Sequence, residues 1–285
     1  MIRLDGATVL LQWAVGGLLF LWVTGRRREV GLGYGWLLRG VYIVMALGAV
    51  AAGEVTGRHS AGRTVCALMV AAAAAVAQCV SIGRRRAGVS GQRAIAERRT
   101  ARVAAMTGID RAAVARDEDA AEFPPGLDLV APVIGAIGLL FPAHVDGGPA
   151  TLAIVRTLVG AAFLGAVTDA MLLGHWYLVQ PGLSRAPLLE LVNWTTLLCP
   201  LEIAVMLWPT GMVSVWTGAV NDGWGGTLGW FWAACAVTTF VLCLVTRKAL
   251  EERSYSAVMA ATGLLYLAIL TAFGTDLVAR AVLTR

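Results

Sequence analysis

Charge is scarce in this chain of 285 residues. Asp, Glu, Lys and Arg make up 14% of it, where a soluble domain carries about 25%. Lysine is nearly missing, with Lys248 alone, and histidine occurs three times. There is no CxxC pair; Cys66, Cys79, Cys199, Cys235 and Cys243 all fall inside apolar runs and read as small buried hydrophobes. A disulfide scaffold is thereby excluded. The HExxH zinc motif, the phosphate-binding glycine loop, the CDP-alcohol transferase pattern and the paired Asp-rich prenyltransferase motif are all absent. No catalytic motif stands in their place, and at most a non-catalytic subunit of an oxidoreductase complex is expected. No internal repeat is visible, so the inverted halves of many transporters are not indicated.

What is present is apolar. Hydrophobic residues are 58% of the chain and mean hydropathy is +0.72. Several runs approach or exceed the about 18 residues that mark a membrane span. The expected fold is an all-α polytopic membrane protein, a single transmembrane domain over 1–285 with about eight spans. They cover about 7–24, 35–53, 64–82, 127–142, 151–179, 187–208, 227–246 and 256–279. The fourth is short, begins at Asp128 and contains Pro132. Were it re-entrant, seven spans would remain.

Orientation follows from the loops. Those after spans one, three, five and seven hold sixteen Arg and Lys; those after spans two, four and six hold two, Arg58 and Arg63. The positive-inside rule puts the first set in the cytoplasm and both termini outside, in a bacterial cytoplasmic (inner) membrane. Arg26-Arg27-Arg28 follows the first apolar run and no small-residue cleavage site is seen, so a retained first helix is expected, not a signal peptide. Trp22, Trp36, Trp176, Trp208 and Trp230 fall near span ends, as an interfacial aromatic belt would.

The one sizeable polar segment is the loop 83–126. Residues 84–102 carry a net charge of +6 and residues 103–122 a net of −3. A basic half against anionic headgroups and an acidic half toward solvent or another subunit is expected. The arginines also serve simply to hold the loop inside. With no soluble domain to present a groove, nucleic acid is not an expected partner; the lipid bilayer and other protein subunits are. Small residues four apart, Ala131 with Gly135 and Ala161 with Gly165, mark faces where helices approach closely.

A charge in hydrocarbon costs at least about 2.5 kcal/mol, so polar residues within spans are the best pointers to function. They form two layers. In the outer one, Asp276 and Arg280 are spaced to pair along one helix face, which leaves Glu202 for Arg156. Pro200, two residues before Glu202, removes an N–H and is expected to kink span six. The layer reads either as register-fixing ion pairs or as a proton path. The inner layer holds Asp169, His175 and Tyr177 in span five, Glu190 early in span six with Asn193 and Trp194, and Tyr266 in span eight. His175 is the one histidine inside a span, so bis-His haem held by this chain is not expected; neither is a metal site, because Asp169 and His175 lie about 120° apart on the helix. A quinone asks for less: an apolar slot, an aromatic wall and polar donors. Asp169, His175, Tyr177, Glu190 and Tyr266 are its candidate ligands or proton relay; the bland alternative is a helix end with His175 turned to water.

Three functions are compatible with these residues. The first is an anchor subunit of a respiratory-type electron-transfer complex with a quinone site and no covalently bound cofactor. The second is a proton-coupled secondary transporter using Glu202, Asp169 and Asp276. The third is a structural or assembly subunit.

Overall fold

A computed structural model describes residues 5–57, 60–85, 122–143, 150–180, 183–252 and 254–283. Among these there is no strand, and eight helices are long and apolar enough to cross a membrane. They are built on α1 (Gly6–Gly25), α2 (Leu32–Val55), α3 (Ala61–Gly83), α4 (Val130–Ala143, whose span begins at Pro125), α5 (Ala150–Val179), α6 (Ala186–Leu207), α7 (Thr227–Ala249) and α8 (Tyr255–Leu283). The protein is a multi-pass membrane protein in contact with lipid. With an even number of spans, the start of α1 and the end of α8 lie on one side of the bilayer. Most of the 83–126 loop, and with it the expected docking segment, lies outside the described residues.

The fourth span is complete. Helix α4 has 14 residues, about 21 Å, and a 3-10 turn over Pro125–Leu129 precedes it. Together they reach about 30 Å, the thickness of a hydrocarbon core. Asp128 in that turn is buried, and Arg39 of α2 clasps both its oxygens at 2.7 and 2.8 Å. The Phe123 ring lies 4.7 Å from the guanidinium.

Each group of four consecutive helices closes on itself: α1 on α2, α2 on α3, α3 on α4, α4 on α1; then α5 on α6, α6 on α7, α7 on α8, α8 on α5. Helices α1 and α5 join the two groups. Accordingly α1 is the most enclosed span, with 61% of its apolar window buried against 33–44% for the others. The join is a backbone contact. A Cβ on Gly16 would lie 1.7 Å from the Ala161 carbonyl oxygen, and one on Gly165 2.1 Å from the carbonyl carbon of Gly16. The small face expected on span five is therefore the seam between the groups, and Gly135 of the span-four face abuts Val15 of α1.

Charges at the ends tie helices together. Asp5 caps α1, accepting from the Ala7 N–H at 3.2 Å, and also takes Arg63 of α3, which is buried. Arg63 is thus a structural partner as well as a topological charge. Past α6, a one-turn helix (Val213–Trp216) and a glycine-rich turn lead to α7. There Asp222 accepts backbone N–H groups from Trp224 and Gly226 (both 2.9 Å) and from Leu228 (3.0 Å), at the start of α7. These donors, Gly226 first, hold its carboxyl below the usual carboxylate range against the opposing effect of desolvation. Not every cysteine is buried: Cys199, Cys235 and Cys243 are, whereas Cys66 is half-buried and Cys79 exposed on the lipid-facing side of α3.

Candidate functional site

The inner polar residues do not form one cluster. Asp169 is fully buried on the side of α5 that meets α1 and α2. Tyr42 donates its hydroxyl to Asp169 Oδ1, and Tyr34 donates to the Asp169 backbone carbonyl at 3.1 Å. Asp169 Oδ2 has no hydrogen-bond partner. His175 is exposed, its Nδ1 3.3 Å from the Tyr266 hydroxyl, and the two rings meet edge-on with centroids 6.5 Å apart. Tyr177 is buried and donates to the Ser184 carbonyl. Glu190 is bound by Arg26, with Arg27 3.5 Å from its other oxygen. Of the five expected residues, only His175 and Tyr266 come together.

The reason is helical geometry. Six residues along α5 turn the side chain by about 240°, so a helix that buries Asp169 must turn His175 outward. Helix α5 has 30 residues, about 45 Å, and its last turns extend past a hydrocarbon core of about 30 Å.

The outer layer assembles in part. Asp276, fully buried, accepts from Arg280 Nε at 2.8 and 2.9 Å and from Gln12 Nε2 at 3.2 Å. Arg280 also donates to the Arg156 carbonyl at 2.8 Å. Gly160 makes room: a Cβ there would lie 2.4 Å from Asp276 Oδ1 and 2.5 Å from both Arg280 Nη2 and Gln12 Nε2.

The expected pairing of Arg156 with Glu202 is not made. Arg156 donates to the carbonyls of Val205 (2.9 Å) and Trp208 (2.5 Å). These belong to the last turn of α6, whose carbonyls have no partner within the helix and where the helix dipole favours a cation. Glu202 remains on the buried face of α6, wholly inaccessible; neither carboxyl oxygen has an N–H or hydroxyl donor, and the Asp276 carboxyl lies within hydrogen-bonding reach of it. Its charged neighbours are Asp276, Arg280 and Arg156.

A cavity of about 50 Å³, room for a few waters, lies at the Arg-rich end among Leu21, Gly31, Tyr34, Arg39, Phe123 and Asp128. Tyr34 links it to Asp169. Going the other way along α5, Asp169 lies nine residues, about 13 Å, from Gly160 and the Asp276 cluster. The Gly16 contact with Ala161 and Gly165 stands between. Two acid sites are therefore held apart by touching backbones. Among the described residues, no three of His, Cys, Asp and Glu form a set able to hold a metal ion.

Sequence reasoning missed Tyr34, Tyr42, Arg39 and Gln12. The signal was available for Arg39, a charge inside an apolar run. It was available for Gln12 too, an amide in the middle of span one. No protein-family model, curated protein or solved structure matches the chain.

Proposed function

We propose that this protein is a proton-coupled secondary transporter of the bacterial cytoplasmic membrane, with its Arg-rich end in the cytoplasm. The observation that carries the reading is Glu202, a carboxyl group in the bundle core with no donor to either oxygen. Ionising it where it stands would set a second carboxylate beside that of Asp276 in a low dielectric, with no donor to hold it, which is a costly state. Such a group is retained where its proton comes and goes. Asp169, with one free oxygen and a tyrosine on the other, is the second such group, separated by Tyr34 from the small cavity at the other end.

The arrangement suits alternating access. A proton cannot cross the Gly16–Ala161–Gly165 seam while the backbones touch, so exchange between the two acids requires the four-helix groups to move against each other. Asp276 is the fixed member, its charge matched by Arg280 and one oxygen hydrogen-bonded by Gln12. A pH jump applied to the protein in liposomes on a solid-supported membrane tests this. Wild type gives a transient charge displacement, and Glu202→Gln and Asp169→Asn each reduce it. Transients of equal size in both variants and wild type would remove the basis for the proposal.

One observation favours the electron-transfer anchor instead. The His175–Tyr266 pair is exposed on the surface of α5 and α8, where a quinone carbonyl arriving from the lipid would find a donor. In that reading the 83–126 loop docks the redox partner. Quinone-dependent quenching of tryptophan fluorescence that is lost in His175→Ala would support it.

A further inference from the structure

A groove of about 410 Å³ lies on the outside of α6 at the Arg-rich end, bounded by Arg27, Leu189, Glu190, Asn193, Trp194 and Leu197. The last four residues are spaced i, i+3, i+4, i+7, one stripe of the helix about 10 Å long. The stripe is graded. It starts at an ion cluster, passes an amide and an indole, and ends on Leu197, which is 61% exposed.

Three features define the occupant. Arg26 lies within hydrogen-bonding distance of Glu190, whereas Arg27 is 3.5 Å away and its side chain half exposed. Two guanidiniums against one carboxylate leave one positive charge at the head of the groove. Asn193 is exposed and makes no hydrogen bond to the described residues; an amide on a lipid-facing helix needs a polar partner at that depth. The Trp194 ring is propped edge-on against Phe20 of α1, with centroids 6.1 Å apart, and so offers a fixed apolar wall.

We propose that this groove is a binding site for one anionic glycerophospholipid. Its phosphate lies between the Arg27 guanidinium and the Asn193 amide, and one acyl chain runs over Trp194 and Leu197. The leftover charge selects an anionic headgroup over a zwitterionic one. The apolar lower half selects a lipid over a free phosphate ion. A flat neutral ring such as a quinone would use Trp194 but not the charge.

Native mass spectrometry of the detergent-solubilised protein, with phosphatidylglycerol and phosphatidylcholine supplied in equal amounts, tests the site. Wild type is expected to retain one phosphatidylglycerol in preference. Arg27→Gln should reduce that preference about fivefold, the effect of one basic residue near an anionic surface, and Arg27→Lys should keep most of it. Asn193→Leu should also weaken retention. Both positions are exposed, and unchanged thermal midpoints of the variants will exclude misfolding. Equal retention of the two lipids by wild type would overturn the proposal. So would phosphatidylglycerol retention unchanged in both Arg27→Gln and Asn193→Leu. Decylubiquinone bound in the groove and not displaced by phosphatidylglycerol would overturn it too, in favour of a ring ligand.

Discussion

Gly17 and Tyr42 occupy what would otherwise be the same space: a Cβ on Gly17 would lie 1.9 Å from Tyr42 Cζ and 2.3 Å from its hydroxyl oxygen. The missing side chain on α1 is what lets a phenol on α2 reach the carboxyl of Asp169 on α5. Gly17→Ala is expected to push the ring away and destabilise the protein by about 1–3 kcal/mol, the usual cost of overfilling a packed site. Tyr42→Phe keeps the packing but takes the donor from Asp169 Oδ1, at a cost of about 1–3 kcal/mol. Combined with Tyr42→Leu, Gly17→Ala should cost less than the sum of the two single changes, because the shorter side chain removes the clash. Unfolding in a mixed-micelle titration measures all of these.

The outer charges give a second comparison. Arg280→Gln alone strands the Asp276 carboxylate in the core and should cost about 3–5 kcal/mol. Asp276→Asn together with Arg280→Gln should cost much less, since no bare charge remains. Glu202→Gln keeps the volume and breaks no ion pair, and should cost much less than Arg280→Gln. A large loss on Glu202→Gln would mean that a cation holds Glu202 after all.

Arg39 and Asp128 fix the 3-10 turn that lets α4 span. The guanidinium meets both oxygens, which an ammonium cannot do. Arg39→Lys is therefore expected to destabilise the protein, and Arg39→Gln to do so by about 3–5 kcal/mol. Both should raise protease sensitivity around residues 122–129 while leaving α7 and α8 protected.

Asp222 ties the turn before α7 to acid pH. Its carboxylate accepts three backbone N–H groups, so the folded form releases its proton at lower pH than the unfolded form, whose value is about 3.9. The stabilisation is complete above that value and is lost as pH falls through the lower, folded one. Amide exchange at Trp224, Gly226 and Leu228 should accelerate together below about pH 4. In Asp222→Ala it should be fast at every pH.

Reporter fusions before α1, within 83–126 and after α8 check the orientation. Activity of a cytoplasmic reporter is expected only in the loop, and a periplasmic reporter only at the two ends. A cytoplasmic reporter active at either terminus would reverse the assignment that the loop charges imply.

Hydropathy is a local property, and it sufficed for the number of spans, their order and their bounds to within a few residues. The Ala161–Gly165 face was legible for the same reason: a helix can be approached closely only where side chains are missing. Asp276 with Arg280 was legible because both lie on one helix, four residues apart. The partners of Glu202, Arg156, Asp169 and Glu190 were not, because each depends on which helices become neighbours and how each is rotated about its axis. Arg156 had a choice between a carboxylate and the free carbonyls at the end of α6, and only the packed bundle brought those carbonyls within reach. Asp169 and His175 look like companions in the chain, six residues apart, yet the 100° turn per residue sends one to the core and the other to the boundary. The azimuth of α5 against α1, set by Gly16 and Gly165, decided which was which.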